Sequence, residues 1–235
     1  MRPMGTRRAF LGTSAVALGA ASTTAALGAA PTPSGPYDFA AIAARLARPA
    51  AHRQVFGTAK LAGGNILHYM LNALNAYQFD YGEGPGTLHA AGVCYGSAVA
   101  LLLDDAAWQT YQLVSVQEKR GDPLKAKPST SGNPFLPATS ALDPRADRDD
   151  SHGFYHDESL TAIVQRGASF FACNNALRGL ATDIAVTYGI TTAPVNVVLA
   201  DLRRHLVPGA LLVPAGDAAV NQAQEAKFTL FVAAV

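Results

Sequence analysis

Charge is scarce in this 235-residue sequence: Asp, Glu, Lys and Arg together supply 15% of it, against 49% hydrophobic residues. So apolar a chain can bury a sizeable core, which excludes intrinsic disorder. Lys and Arg number 18 and Asp and Glu 17, and three of the positives, Arg2, Arg7 and Arg8, stand near the N-terminus. Residues 1–30 hold no acid, so without them the balance is 15 to 17, a net −2. That lacks the basic footprint of a nucleic-acid binder. Two cysteines are too few for a disulfide-stapled scaffold. GxSxG and HExxH are absent, and Gly63-Gly64-Asn65 lacks both GxGxxG and a P-loop lysine, which argues against a nucleotide site.

Long apolar runs are missing too. The uncharged stretch after Arg8 is mostly Ala, Gly, Ser and Thr, with Phe10, Leu11, Val16, Leu18 and Leu27 as its large apolar residues. A transmembrane helix needs about 20 predominantly apolar residues, so no stable membrane anchor is expected. The pair Arg7-Arg8, the mild apolar core and the small residues Gly28-Ala29-Ala30 resemble a Tat-type export signal over residues 1–30. The expected location is the periplasm or the cell exterior. Residues 31–50 read as a Pro/Ser/Gly leader and a short helix capped by Asp38, with Phe39, Ile42 and Leu46 on one face and Pro49 as its stop.

From residue 51 to 235 short apolar strands alternate with helical patterns. Strands are expected at Arg53–Thr58, Leu88–Cys94, Ser169–Ala172, Ala210–Val213 and Phe228–Val232. Helices are expected from Gly63-Gly64-Asn65, from Ser159, from Asn174-Asn175 to about Ile184, from Pro194 to Leu206, and from Gly216-Asp217 to Glu225. This alternation predicts a three-layer α/β/α sandwich, Rossmann-like, with a mainly parallel five-stranded sheet. From about 117 to 157 the rhythm breaks, with five prolines and no sustained period. So long an insertion is expected to be a lid, an oligomer contact or a flap.

Ligands of such sheets sit at the carboxyl ends of the strands. Two of those ends carry Cys94-Tyr95-Gly96-Ser97 and Cys173-Asn174-Asn175. The run Phe170-Phe171-Ala172-Cys173-Asn174-Asn175-Ala176-Leu177-Arg178-Gly179 resembles the DsrE/DsrF-like family, in which a strand runs into a cysteine followed by a helix. Leu206–Gly216 and Gln222–Phe228 look like the same family's ending. The resemblance implies homo-oligomerisation and, as in some members, a cysteine that carries sulfur as a persulfide or thiosulfonate to a partner thiol protein.

Cys173 can also be argued without the family. A thiol where a strand feeds a helix meets backbone N–H groups and the positive dipole end, which favour a thiolate and an anionic sulfur species. The alternative is an inert buried cysteine. Asn174, Asn175, Arg178, Tyr95, Gly96 and Ser97 are the candidate ligand-binding neighbours. Cys94 is either a resolving partner for Cys173 or a core residue. His152 and His156, four apart among acids, are either ligands of a metal or haem, lid residues reaching the pocket, or part of a solvated acidic loop. The leading expectation is an exported sulfur carrier working through Cys173. The alternatives are a non-catalytic metal- or haem-binding module and a structural oligomer subunit. His68, His89 and His205 are expected to be structural.

Overall fold

The structure is a computed structural model that describes residues 35–122, 124, 132–136 and 158–234. The expected signal segment, residues 31–34 of the leader and most of the insertion, His152 and His156 included, lie outside the described residues. Asp38 caps helix α1 (Phe39–Ala47), its Oδ1 accepting from Ala41 N at 2.8 Å. Strand β1 (His52–Thr58) leads through a glycine turn to α2 (Asn65–Asn75). Strand β2 (Leu88–Cys94) is buried along its whole length and runs into a 3-10 helix (Gly96–Leu102). Helices α3 (Asp105–Thr110), α4 (Leu113–Lys119) and α5 (Leu160–Gln165) precede β3 (Ser169–Cys173) and α6 (Asn174–Thr182). Helix α7 (Val195–Arg204), strand β4 (Ala210–Val213), α8 (Gly216–Glu225) and β5 (Thr229–Ala234) complete the chain.

All five strands are parallel, in the order β4-β3-β2-β1-β5, and helices lie on both faces. The fold is therefore the expected α/β sandwich. Side chains alternate across a strand, and the two core clusters follow that alternation. Phe56, Ala90, Cys94, Phe170 and Ala172 face a large core with α2, the 3-10 helix, α6 and α7. Val55, Ala91, Val93, Phe171 and Val213 face a smaller core under α1 and α8. Helix α8 lies across β1, β2 and β3. On its face of β5, Leu230 and Val232 stay 43% and 49% exposed.

The reading of 117–157 as one aperiodic insertion needs correction at both its start and its middle. Gln117 belongs to α4, and Asn133–Leu136 packs into the domain. The Asn133 side chain donates to Leu101 O and Leu103 O at 2.8 and 2.6 Å and accepts from Phe135 N at 2.9 Å. Phe135 is 1% exposed, edge-on to Trp108 at 6.3 Å, and its ring fills the space where a Gly64 β-carbon would stand. Gly64 has φ +86°, so both its backbone and this close approach require glycine. Four residues are too few to display a period, so nothing in the sequence marks them as core.

A second polar element sits in the smaller core. His89 is fully buried, with Nε2 2.9 Å from Ser169 Oγ and its ring edge-on to Phe228 at 5.0 Å. Burial first, then the charges of Arg48, Arg53 and Arg45, lower its pKa from 6.5 to about 4.

Two predictions follow from this packing. Phe135→Ala should lose about 3–5 kcal/mol, as for other fully buried aromatics, read as a lower denaturant midpoint in urea unfolding. His89 binds its proton more weakly folded than unfolded, so its stabilisation is complete above pH 6.5 and is lost as pH falls towards about 4. The loss amounts to roughly 3 kcal/mol. His89→Gln should flatten the stability profile between those two values, measured by urea unfolding across that range.

Candidate functional site

Connections β1→β2→β3→β4 all step the same way across the sheet and place their helices on one face. The return from β4 to β5, beyond β1, puts α8 on the other face, as right-handed crossovers require. Neighbouring strands β3 and β4 are therefore followed by helices on opposite faces. Between their carboxyl ends lies the crevice where ligands of open α/β sheets bind. Cys173 ends β3 on one side, and Pro214-Ala215-Gly216 leaves β4 on the other.

Cys173 is also the N-cap of α6. Its Sγ accepts from Ala176 N at 3.4 Å, in place of the Asn174-Asn175 cap expected from the sequence. The residue is 5% exposed and its thiol is free. The N-terminus of α8 reaches the same end of the sheet, so two helix N-termini lie at that end and favour an anion there.

Tyr95 is held at the same level, because Cys94 pairs with Ala172 and the next residues of the two strands follow in register. Its ring packs under Gly216, where a β-carbon would come within 2.8 Å of Tyr95 Cβ. The hydroxyl lies over Gly57 of β1, across β2 from the thiol. Burial, the Asp217 carboxylate and Cys94 all raise the Tyr95 pKa, so the phenol stays protonated. Asp217, in the first turn of α8, is a site neighbour that the sequence marks as no more than a helix start.

The other expected site residues are tied into the scaffold or stand outside the crevice. Asn174 is buried; its Oδ1 accepts from Arg203 Nε and Nη2 at 2.9 and 2.7 Å, and its Nδ2 donates to Tyr37 Oη at 3.0 Å. This clamp joins α6, α7 and the chain entering α1. Asn175 and Arg178 are exposed on α6. Gly96 takes φ +54°, and a β-carbon there would stand 2.3 Å from Ala59 O. Ser97 Oγ bonds Ala59 O at 3.3 Å and donates to Asp122 Oδ2. Asp122 is buried and unmarked in the sequence. Its carboxylate accepts from Leu61 N at 2.6 Å and Ala62 N at 2.9 Å, and so fills the turn after β1.

Cys94 and Cys173 do not form a disulfide; both are free. Cys94 faces the large core, and alternation along β3 turns Cys173 to the other face of the sheet. Complete burial pushes the Cys94 thiol pKa well up, so it stays a neutral core residue. Among the described residues no group of three or more His, Cys, Asp or Glu could hold a metal ion. No helix among them is long and apolar enough to cross a membrane. His68 pairs with Glu158 at 2.6 Å, and His205 with Asp104 at 3.0 Å.

Fold and site together define an open α/β protein with a helix-capping cysteine at its topological switch point. No family model matches the chain, and no curated protein matches it. Among solved structures it is similar to a protein of unknown function, MTH1491 from Methanobacterium thermoautotrophicum. The two share 16% identity over 77% of this chain and 98% of that one, with a TM-score of 0.37.

The two cysteines should separate chemically. A soluble alkylating reagent should label Cys173 in the native protein and Cys94 only after unfolding, as read by peptide mapping. Cys173→Ser should keep the cap, whereas Cys173→Ala should lose it and up to about 1 kcal/mol of stability; urea unfolding of the two variants checks this.

Proposed function

We propose that this chain is an exported, DsrE-like sulfur carrier that takes up a sulfane sulfur at Cys173 and passes it to a partner thiol. The observation that supports this reading is the position of one free thiol as strand end, helix cap and crevice wall at once. The ligand suited to it is small and anionic, because Cys173 is 5% exposed and two helix N-termini lie at its end of the sheet. Thiosulfate and short polysulfides have that size and charge.

The thiolate of Cys173 attacks the outer sulfur of thiosulfate. An S–S bond forms to Cys173, the original S–S bond breaks, and its electron pair leaves with sulfite. The persulfide then holds sulfur at the sulfane level, and no external oxidant or reductant is consumed. Attack by a partner thiolate on the outer sulfur breaks the Cys173 S–S bond and returns the Cys173 thiolate. The N–H groups at the start of α6 favour the anionic persulfide between the two steps.

Incubation with thiosulfate, followed by intact mass spectrometry without reductant and cysteine mapping, tests this. The expected product is one additional sulfur atom on Cys173, released sulfite in equal amount, and neither in Cys173→Ser. Wild-type protein that gains no sulfur, or a Cys173→Ser variant that gains as much, overturns the proposal.

A further inference from the structure

At the opposite end of the sheet, about 13 Å from Cys173 along the four residue steps of β3, three arginines gather around His89. Arg53, on β1, donates through Nη1 to Ala226 O at 2.9 Å and through Nη2 to Arg48 O at 3.3 Å, and its guanidinium lies 5.9 Å from the centroid of the Phe228 ring. Its hydrogen bonds thus go to the carbonyl ends of α8 and α1. Arg48 lies against the turn before β3, 3.6 Å from where a Gly167 β-carbon would be. Two residues beyond that turn, Ser169 bonds His89. Arg45 shares the last turn of α1, close enough for its charge to lower the Arg48 pKa after burial has done so.

Among the described residues no carboxylate comes within 4 Å of these three guanidiniums. His89 Nδ1, fully buried, has no hydrogen-bond partner. A buried orphan of this kind calls for an explanation, and Arg45 and Arg48, half-buried and without a carboxylate partner among the described residues, leave two guanidiniums able to take an anion. A groove of about 510 Å³ is lined by Arg45 and Arg48 with Ala41, Ala44, Ala47 and Pro49. Its alanines leave room for a ligand to reach both guanidiniums.

We propose that this rim is a second binding site, for a phosphate-type oxyanion held by Arg45 and Arg48. A guanidinium presents paired N–H donors in a fixed fork that suits a tetrahedral oxyanion, and two of them converge here. Burial is the first reason His89 stays neutral and the arginine charges come second; a bound dianion offsets those charges, so occupancy is reported from within the core. The site is independent of the thiol chemistry.

The test uses the full chain near neutral pH, with inorganic phosphate titrated against sodium chloride of matched ionic strength. The expected result is a saturable rise in melting temperature, with the His89 ring nitrogen resonances shifting over the same concentration range. Both responses should persist in Cys173→Ser and vanish in Arg45→Gln/Arg48→Gln, which keeps Arg53 on Phe228. Unmoved His89 resonances in the wild-type protein, or a response equal in the double variant, overturn the proposal. Phosphatidylglycerol vesicles form the second arm. Co-sedimentation with them, without a saturable phosphate response, would assign the rim to a lipid surface and overturn it as well.

Discussion

A fully parallel sheet is buried on both faces and must be covered on both. Right-handed crossovers put a helix on one face or the other according to the direction in which the chain steps. Here three steps run one way and the fourth returns past all of them to β5. Only that reversal, together with α1 before β1, covers the second face. The same reversal opens the crevice between β3 and β4 and brings the start of α8 to the end of the sheet where Cys173 stands. The thinness of the α1/α8 layer also explains why Leu230 and Val232 remain partly in water while the first face buries nearly everything.

Within that frame Cys173 holds a compromise. As a cap it gives its sulfur to Ala176 N at 3.4 Å, a long and soft hydrogen bond. A serine would make a stronger one, since hydroxyl oxygens are the favoured caps of helix N-termini. Sulfur at this position gives up capping strength and gains polarisability and nucleophilicity beside the positive end of a helix. Cys94 has the same side chain one strand away and none of this, because the pleat turns it into a dry interior.

Much of the fold was legible because each strand is a short apolar run closed by turn residues. Leu88–Cys94 and Ser169–Cys173 are the plainest cases, matching their structural bounds to within a residue. The 3.6-residue spacing in α1 and α2 was equally plain. The site was legible in part. That Cys173 and Tyr95 reach one level follows from two strands being neighbours in register, which no local pattern encodes. Asn174 looked like a ligand residue because it follows the cysteine. Its amide instead answers Arg203 and Tyr37, 29 and 137 residues away. Asn133 and Phe135 were hidden among prolines, and no motif marked Asp122. Each acts through partners distant in sequence, so composition and period could not reveal them.

The Asp122 carboxylate has a consequence for selectivity. In dinucleotide-binding folds the turn after the first strand offers free backbone N–H groups to a phosphate. Here Leu61 N and Ala62 N already carry the domain's own carboxylate, braced by Ser97. An incoming nucleotide would have to displace a tethered anion of effectively very high local concentration and then face its repulsion. The fold thus keeps the Rossmann-like architecture while the turn after its first strand is filled from inside by its own carboxylate.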